Sequence, residues 1–370
     1  MTPDQDMFVL GIETSCDDTA AAVVQRRADG TCRVLSNEVW AQHDDHAAFG
    51  GVVPEIAARS HVERLDGLIE RSMARAEIGF DRLDAVAATA GPGLVGGVMV
   101  GLTTAKAISL SHRLRLVPIN HLEGHALSVR MTERAPFPFL LLLISGGHTQ
   151  LIRVDGVGRY DRLGTTIDDA AGESFDKTAK LLGLGAPGGP RVESAAVGGR
   201  SDRFDLPRPL LKHEGCDFSF SGLKTAVREA AQSLERPTGQ DIADLAASFQ
   251  AAAARHLSQR TEKAMAMMAD AFPPGENGRL VVAGGVAANC AVKKMLQDLC
   301  AANYWQLIAP PAKYCTDNGA MIAWAGAERL AEGLVMGENE ALSMAPRARW
   351  PLAAPPDGGK LGSGRKGPKA

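Results

Sequence analysis

Two stretches of this chain open in the same way, and that repetition restricts the fold more than any other feature. Residues 7–14 (MFVLGIET), 19–27 (TAAAVVQRR) and 32–42 (CRVLSNEVWAQ) are apolar runs joined by short connections. Such connections allow antiparallel pairing and no crossover, so the three runs read as a meander. Apolar residues then recur at helical spacing over 53–76, followed by a strand at 83–90, a Gly-interrupted helix at 93–112, a strand at 114–120 and a helix from 121. The pattern restarts with strands at 137–147, 148–156 and 159–167. It continues through helical stretches at 168–184 and 239–271, a buried strand at 279–286 with its helix at 287–302, a strand in QLIAPP and a closing helix at 316–333. A meander followed by alternating helix and strand, met twice, predicts an α/β fold of two lobes. The lobes are read as 7–131, with 316–333 packing back on it, and 132–315, with a ligand cleft between them. The Pro-, Gly- and Lys-rich end, 346–370, has almost no large apolar group to offset its ordering entropy and reads as disordered.

Charge and cysteine usage narrow the partners. The formal net charge of −3 gives no global attraction to nucleic acid or membrane, so a nucleic-acid partner needs a local basic patch or a helper protein. Residues 85–105 carry no charge, but Gly91-Pro92-Gly93 divides them into a strand and a helix, each too short to span a bilayer. No membrane association is expected. The six cysteines, at 16, 32, 216, 290, 300 and 315, form no CxxC pair, which favours free thiols in a reducing, cytoplasmic compartment. The segment MTPDQDMFVLGIE has acidic residues and no basic n-region, so no signal peptide is expected.

Three small-residue turns and one histidine pair carry the chemistry. ETSCDDTA and SGGHTQ sit at equivalent points of the two halves, between the first and second strands. Backbone N–H groups in such turns bind phosphate oxygens, and together the two suggest a nucleotide phosphate held from two sides. AGGVAAN (283–289) adds a strand, glycines and a helix start that suit a ribose or adenosine, or equally a tight structural turn. In NHLEGHALSVR, His121 and His125 stand four apart, on one face of a helix and within reach of one ion. A zinc protease of the HExxH type needs Glu directly after the first His. Leu122 holds that place, and Glu123 is turned about 200° away around the axis. The protease reading therefore loses its base while an ion site survives. Asp317 in CTDNGA is a candidate third ligand, with helix capping by Thr316 or Asp317 as its structural alternative. His/His/Asp with an open position is the pattern of a catalytic metal site. His43, His46 and His61 are irregularly spaced and read as solvated, and the phenylalanines of FSFSGLKTA read as packing residues.

An ordered set of motifs now carries a resemblance: GIETSCDDTAAAV, HAAFGGVVPEIAARSH, AGPGLVGGVMVG, NHLEGH, LLISGGHTQL, DDAAGESFDKTAKLLGL, PGGP, FSFSGLKTA, VAGGVAAN and CTDNGAMIAWAG. Over residues 7–351 the chain resembles the bacterial tRNA N6-adenosine threonylcarbamoyltransferase family, once labelled sialoglycoprotein endopeptidases. The resemblance implies two ribonuclease-H-like lobes of the actin-like, sugar kinase and chaperone ATPase type. It implies transfer of threonylcarbamoyl from threonylcarbamoyl-AMP to N6 of the adenosine 3′ of the anticodon, position 37, in tRNAs reading codons that begin with A, with release of AMP. His121, His125 and Asp317 would then ligate one divalent ion per subunit, Fe(2+) or Zn(2+), which this ligand set does not separate. Leu143, Ile144, Ser145, Gly146 and Gly147 would line the donor through the backbone, and Asp176, Gly189 and Asn289 would contact its nucleoside part. Asp17 and Asp18 would face the reacting phosphate, Asp17 as an orienting carboxylate or proton acceptor, and His148 would either touch the donor or pair across the strands. Implied partners are tRNA, a paralogous dimerising subunit and a small ATPase subunit. The competing readings are an ATPase or phosphotransferase of the same fold, a metalloprotease, and a non-catalytic scaffold.

Overall fold

Seven consecutive residues, Met7–Glu13, form β1, and all but Phe8 are buried. A strand with so little polar surface belongs in the middle of a sheet. In the computed structural model, which describes residues 5–42, 45–46, 49, 51–210 and 213–353, that is where it lies. The chain divides into two units, Met1–Ala135 with Pro310–Leu352, and Pro136–Ala309.

The first unit holds β1, β2 (Asp18–Arg26), β3 (Cys32–Ala41), α1 (Pro54–Ala76), β4 (Ala85–Gly91), α2 (Val95–His112), β5 (Arg115–Asn120) and α3 (His121–Glu133). Its sheet has the order β3-β2-β1-β4-β5. β1 pairs antiparallel with β2, Leu10 opposite Val23, and parallel with β4, Leu10 opposite Val86. α1 and α2 supply the crossovers that parallel neighbours require. Leu10, Ile12, Val23, Leu65, Val86 and Leu102 form the heart of its core.

The second unit holds β6 (Phe139–Ile144), β7 (Thr149–Gly156), β8 (Arg159–Thr165), α4 (Ala171–Leu181), α5 (Gly188–Ala195), α6 (Ser221–Gln232), α7 (Gly239–Met267), β9 (Gly278–Ala283), α8 (Cys290–Ala302) and β10 (Trp305–Ile308). Its order, β10-β9-β6-β7-β8, is the first sheet's order read from the other side, and the strand directions match. The duplicated ribonuclease-H-like plan is therefore present in both units. The chain then returns to the first unit as α9 (Gly319–Ala331) and α10 (Glu338–Ser343).

The structure departs from the sequence expectation in several places. α5 and α6 were not anticipated. The start of α5 is Gly188-Gly189-Pro190, residues that disfavour a helix interior but are tolerated in a first turn. The closing helix starts at Gly319, and its N-cap is Asn318, whose Oδ1 accepts the Met321 N–H at 3.0 Å. Residues 346–352, expected as the start of a disordered tail, are tied to the first unit: the Arg347 N–H donates to the Ala90 carbonyl and Asn120 Nδ2 to the Trp350 carbonyl. Trp350 supplies the apolar group that the rest of the tail lacks. The remainder of that tail, 354–370, lies outside the described residues. Among the described residues no helix is long and apolar enough to cross a membrane, and residues 85–105 fold as β4 and most of α2, as expected.

Phe218 and Phe220 are fully buried, as their packing role required, and each meets the His256 ring edge-on. His256 Nε2 accepts the Ser219 N–H at 3.2 Å, so the ring is neutral there. Burial first, then the Arg260 charge, depress its pKa to about 4. An unfolded histidine titrates near 6.5. A depressed histidine therefore contributes stability in full above pH 6.5, and that contribution is lost as pH falls toward 4. The loss amounts to about 3 kcal/mol. Urea midpoints of the wild type and of His256→Gln, compared at pH 7.5 and pH 5, test this: the wild type should lose more stability than the variant.

Candidate functional site

The His pair starts a helix because Asn120 precedes it. Asn120 Oδ1 accepts the Leu122 N–H at 2.9 Å and so caps α3 at the point where β5 ends. His121 and His125 follow on one face, both buried, with ring centroids 4.7 Å apart. α9 packs on the same helix at Gly124, where an added Cβ would stand 2.8 Å from Ile322 Cδ1. The close approach brings in Asp317, just ahead of the α9 cap. Its Oδ1 lies 3.0 Å from His125 Nε2 and 3.5 Å from His121 Nε2. The ligand atoms of the three residues all fall within 4.8 Å of one another. Asn318 does the capping that Asp317 was weighed for, so the Asp317 carboxylate faces the histidines instead.

Glu13 closes the constellation from behind. Its Oε2 accepts from His121 Nδ1 at 2.9 Å and from Thr89 Oγ1, and its Oε1 accepts the Ser15 N–H. Held there by Nδ1, the ring points Nε2 at Asp317. A carboxylate on the far nitrogen is the usual support of a metal-ligating histidine. Burial alone would lower the His121 pKa, but Asp317 and Glu13 outweigh it and raise it to about 9. His125 Nδ1 is buried and has no hydrogen-bond partner among the described residues. Two imidazole nitrogens and one carboxylate oxygen suit a borderline divalent cation, so the donor set fits a metal ion.

Asp17 and Asp18 lie at the β1–β2 turn of the same unit, Asp18 as the first residue of β2. Burial, then the charges of Asp317, Asp17 and Glu13, raise the Asp18 carboxyl to about 8. Its Oδ1 is buried without a hydrogen-bond partner among the described residues. Glu123 points elsewhere: its carboxylate lies 3.3 Å from Arg329 Nε on α9, so it offers no base to the histidines. His46 and His61, expected to be solvated, are buried instead. His61 Nδ1 lies 2.7 Å from Thr19 Oγ1, and its Nε2 donates to the Cys16 carbonyl at 3.2 Å, which braces the turn carrying Asp17. His43 lies outside the described residues.

In the second unit the expected donor-contact residues end or follow β6, follow β9, or lie on α4 and α5. Leu143 and Ile144 are fully buried, paired with Gln150 and Thr149 of β7. Ser145 to Gly147 form the turn, closed by the Ser145 N–H donating to the His148 carbonyl at 2.8 Å. Gly284 follows β9 at φ +94° and touches β6: an added Cβ would stand 2.4 Å from the Ile144 carbonyl oxygen. Space around Gly146, Gly147 and Gly189 is open. Asp176 Oδ1 accepts the Gly188 N–H at 2.8 Å and so anchors the PGGP segment. Asn289 caps α8 through Oδ1, and its Nδ2 donates to Gln250 at 2.8 Å.

Residues 33–324 match the family described as tRNA N6-adenosine threonylcarbamoyltransferase. The curated protein of that name from Chelativorans sp. is 58% identical over 98% of this chain and 99% of its own length. The one from Rhizobium etli is 57% identical with the same coverage, and the one from Maricaulis maris 56% over 98% of this chain and 96% of its own. The chain belongs to the tRNA N6-adenosine threonylcarbamoyltransferase family. Among solved structures, HypF from T. kodakarensis aligns with a TM-score of 0.60 at 16% identity, over 92% of this chain and 49% of that one. Full-length HypF in its phosphate- and nucleotide-bound form aligns at 0.55 and 12%, over 89% and 56%. These likenesses show the fold alone.

For a threonylcarbamoyltransferase of this family, sequence reasoning named the three convergent residues and missed Glu13, the support of His121. One signal was available. A carboxylate ending a strand this apolar needs a buried partner, because an unpaired charge in that place is too costly.

Proposed function

We propose that this chain transfers the threonylcarbamoyl group from threonylcarbamoyl-AMP to N6 of adenosine 37 in tRNAs reading codons that begin with A, releasing AMP. The observation that carries this reading is 58% identity over nearly the full length of an enzyme named for that transfer. The geometry supports it with chemistry. An aryl amine is a weak nucleophile because its lone pair is delocalised, so the acceptor needs a proton taken and the donor needs its leaving phosphate stabilised. His121 Nε2, His125 Nε2 and Asp317 Oδ1 would hold Fe(2+) or Zn(2+), while Glu13 fixes the His121 ring. Bound there, such a cation supplies Lewis-acid polarisation and charge neutralisation. Asp17 would serve as an orienting carboxylate or proton acceptor, with Asp18 beside it facing the reacting phosphate. The backbone of Leu143, Ile144, Ser145, Gly146 and Gly147 would take the donor, with Asp176, Gly189 and Asn289 around its nucleoside part.

The same reading includes a paralogous subunit and a small ATPase as partners and the cytoplasm as the place of work. α1 and α2 leave Val62, Val95, Met99 and Leu110 exposed, apolar surface that a related subunit would cover. A chain of net charge −3 also gains from sharing the tRNA with such partners. The phosphotransferase reading has no comparable support, since a His/His/Asp set is foreign to magnesium chemistry. The test is to incubate the chain with tRNA, threonine, bicarbonate, ATP and the partner enzymes, then digest the tRNA. Threonylcarbamoyladenosine among the nucleosides supports the proposal; its absence in an otherwise active mixture removes it.

Cation affinity should also depend on pH. Below about pH 9 His121 carries a proton that a cation must displace. Affinity should fall about tenfold per unit as pH drops from 9 to 7, which metal titrations at three pH values measure.

A further inference from the structure

The segment after α10 is anchored to the first unit at several points. The Met344 carbonyl accepts from Lys106 Nζ at 2.7 Å. The Arg347 N–H donates to the Ala90 carbonyl at 2.9 Å, and the Arg347 carbonyl presses on Gly91, where an added Cβ would stand 2.2 Å away. The Trp350 carbonyl accepts from Asn120 Nδ2 at 2.8 Å, while the other end of that amide caps α3. Arg347 lies over the Trp350 ring at 5.1 Å and stiffens the segment.

Both anchor points adjoin the supports of His121. Asn120 directly precedes it. Ala90 follows Thr89, whose hydroxyl holds Glu13, which in turn holds His121 Nδ1. Asn120 can cap the helix without the strap, but the strap fixes which way its amide lies. It also fixes the end of β4 from which Glu13 is held.

We propose that residues 344–350 are a positioning strap for the metal-ligand helix, and that Asn120 is the residue through which they set the His121 ring. The proposal rests on the reading that His121, His125 and Asp317 hold a cation. Removing the strap should weaken cation binding in a chain that still folds. Loss of a ligand's outer support typically costs 10–100-fold in metal affinity, and about tenfold is expected here.

Co(2+) serves as the probe, because its visible absorption reports both affinity and ligand geometry. Four variants of the full chain are compared with wild type: a stop after Ser343, a stop after Ala353, Asn120→Ser and His121→Ala. Serine keeps a capping oxygen but has no amide to reach Trp350. The stop after Ser343 and Asn120→Ser should each bind Co(2+) about tenfold more weakly with an altered absorption band. The stop after Ala353 should match wild type. Circular dichroism and urea midpoints establish folding, and Asn120→Ser decides alone should the shorter chain not fold. Unchanged affinity and spectrum in folded Asn120→Ser overturn the strap while leaving the metal reading intact. A wild-type spectrum that His121→Ala does not abolish overturns the metal reading, and the strap proposal falls with it.

Discussion

His121→Ala should abolish tight cation binding and reduce threonylcarbamoyl transfer on the order of 10³-fold, about 4 kcal/mol of transition-state stabilisation. The side chain lies between two carboxylates, with Glu13 on Nδ1 at 2.9 Å and Asp317 beyond Nε2 at 3.5 Å. Its removal takes away one ligand and leaves Glu13 fully buried without its imidazole partner. That second effect lowers stability, so His121→Asn, which keeps a side-chain N–H, belongs beside it. Metal content by elemental analysis and modified nucleoside per tRNA are the two readouts. Because the three proposed ligands would act as one unit, His121→Ala with His125→Ala should be little worse than either alone. Transfer at the wild-type rate in a folded, metal-free His121→Ala would remove the metal from the chemistry.

Glu13→Gln is the second large effect, and two terms oppose each other in it. The carboxylate raises the His121 pKa, so its loss eases proton competition for Nε2. The same carboxylate stabilises a bound cation and orients the ring. A divalent ion carries twice the charge of the proton it displaces, so the second term wins. Affinity should fall about 10–100-fold, with a proportionate rise in the metal concentration needed for full transfer. Excess metal should restore most of the rate in Glu13→Gln and none of it in His121→Ala. Equal behaviour of the two variants would contradict a supporting role for Glu13.

Much of this was legible in the sequence because each signal was local. The meanders at 7–42 and 137–167 announce themselves through short connections, and the i, i+4 histidines through helical periodicity. Asp317 was legible only as a candidate, since nothing local distinguishes a ligand from a cap. The choice fell to Asn318, whose amide oxygen took the Met321 N–H. The partner of Glu13 and the strap were not legible for a related reason. Their partners are 108 residues away for Glu13 and His121, and 230 for Asn120 and Trp350, and no spacing rule reaches that far. His61 was misplaced because polar residues usually face water, whereas here Thr19 and the Cys16 carbonyl satisfy the ring inside the unit.

His125 and Asp317 stand 192 residues apart along the chain, and the whole second unit is encoded between them. A ribosome adding 5–20 residues per second needs about 10–40 seconds to cover that interval. The imidazoles are therefore made long before the Asp317 carboxylate exists, and the proposed ligand set is complete only near the end of translation. A chain released just before Asp317 would carry the histidines and residues 136–309 of the second unit, yet lack the proposed carboxylate ligand, so copies terminated there should not sequester metal in competition with finished enzyme.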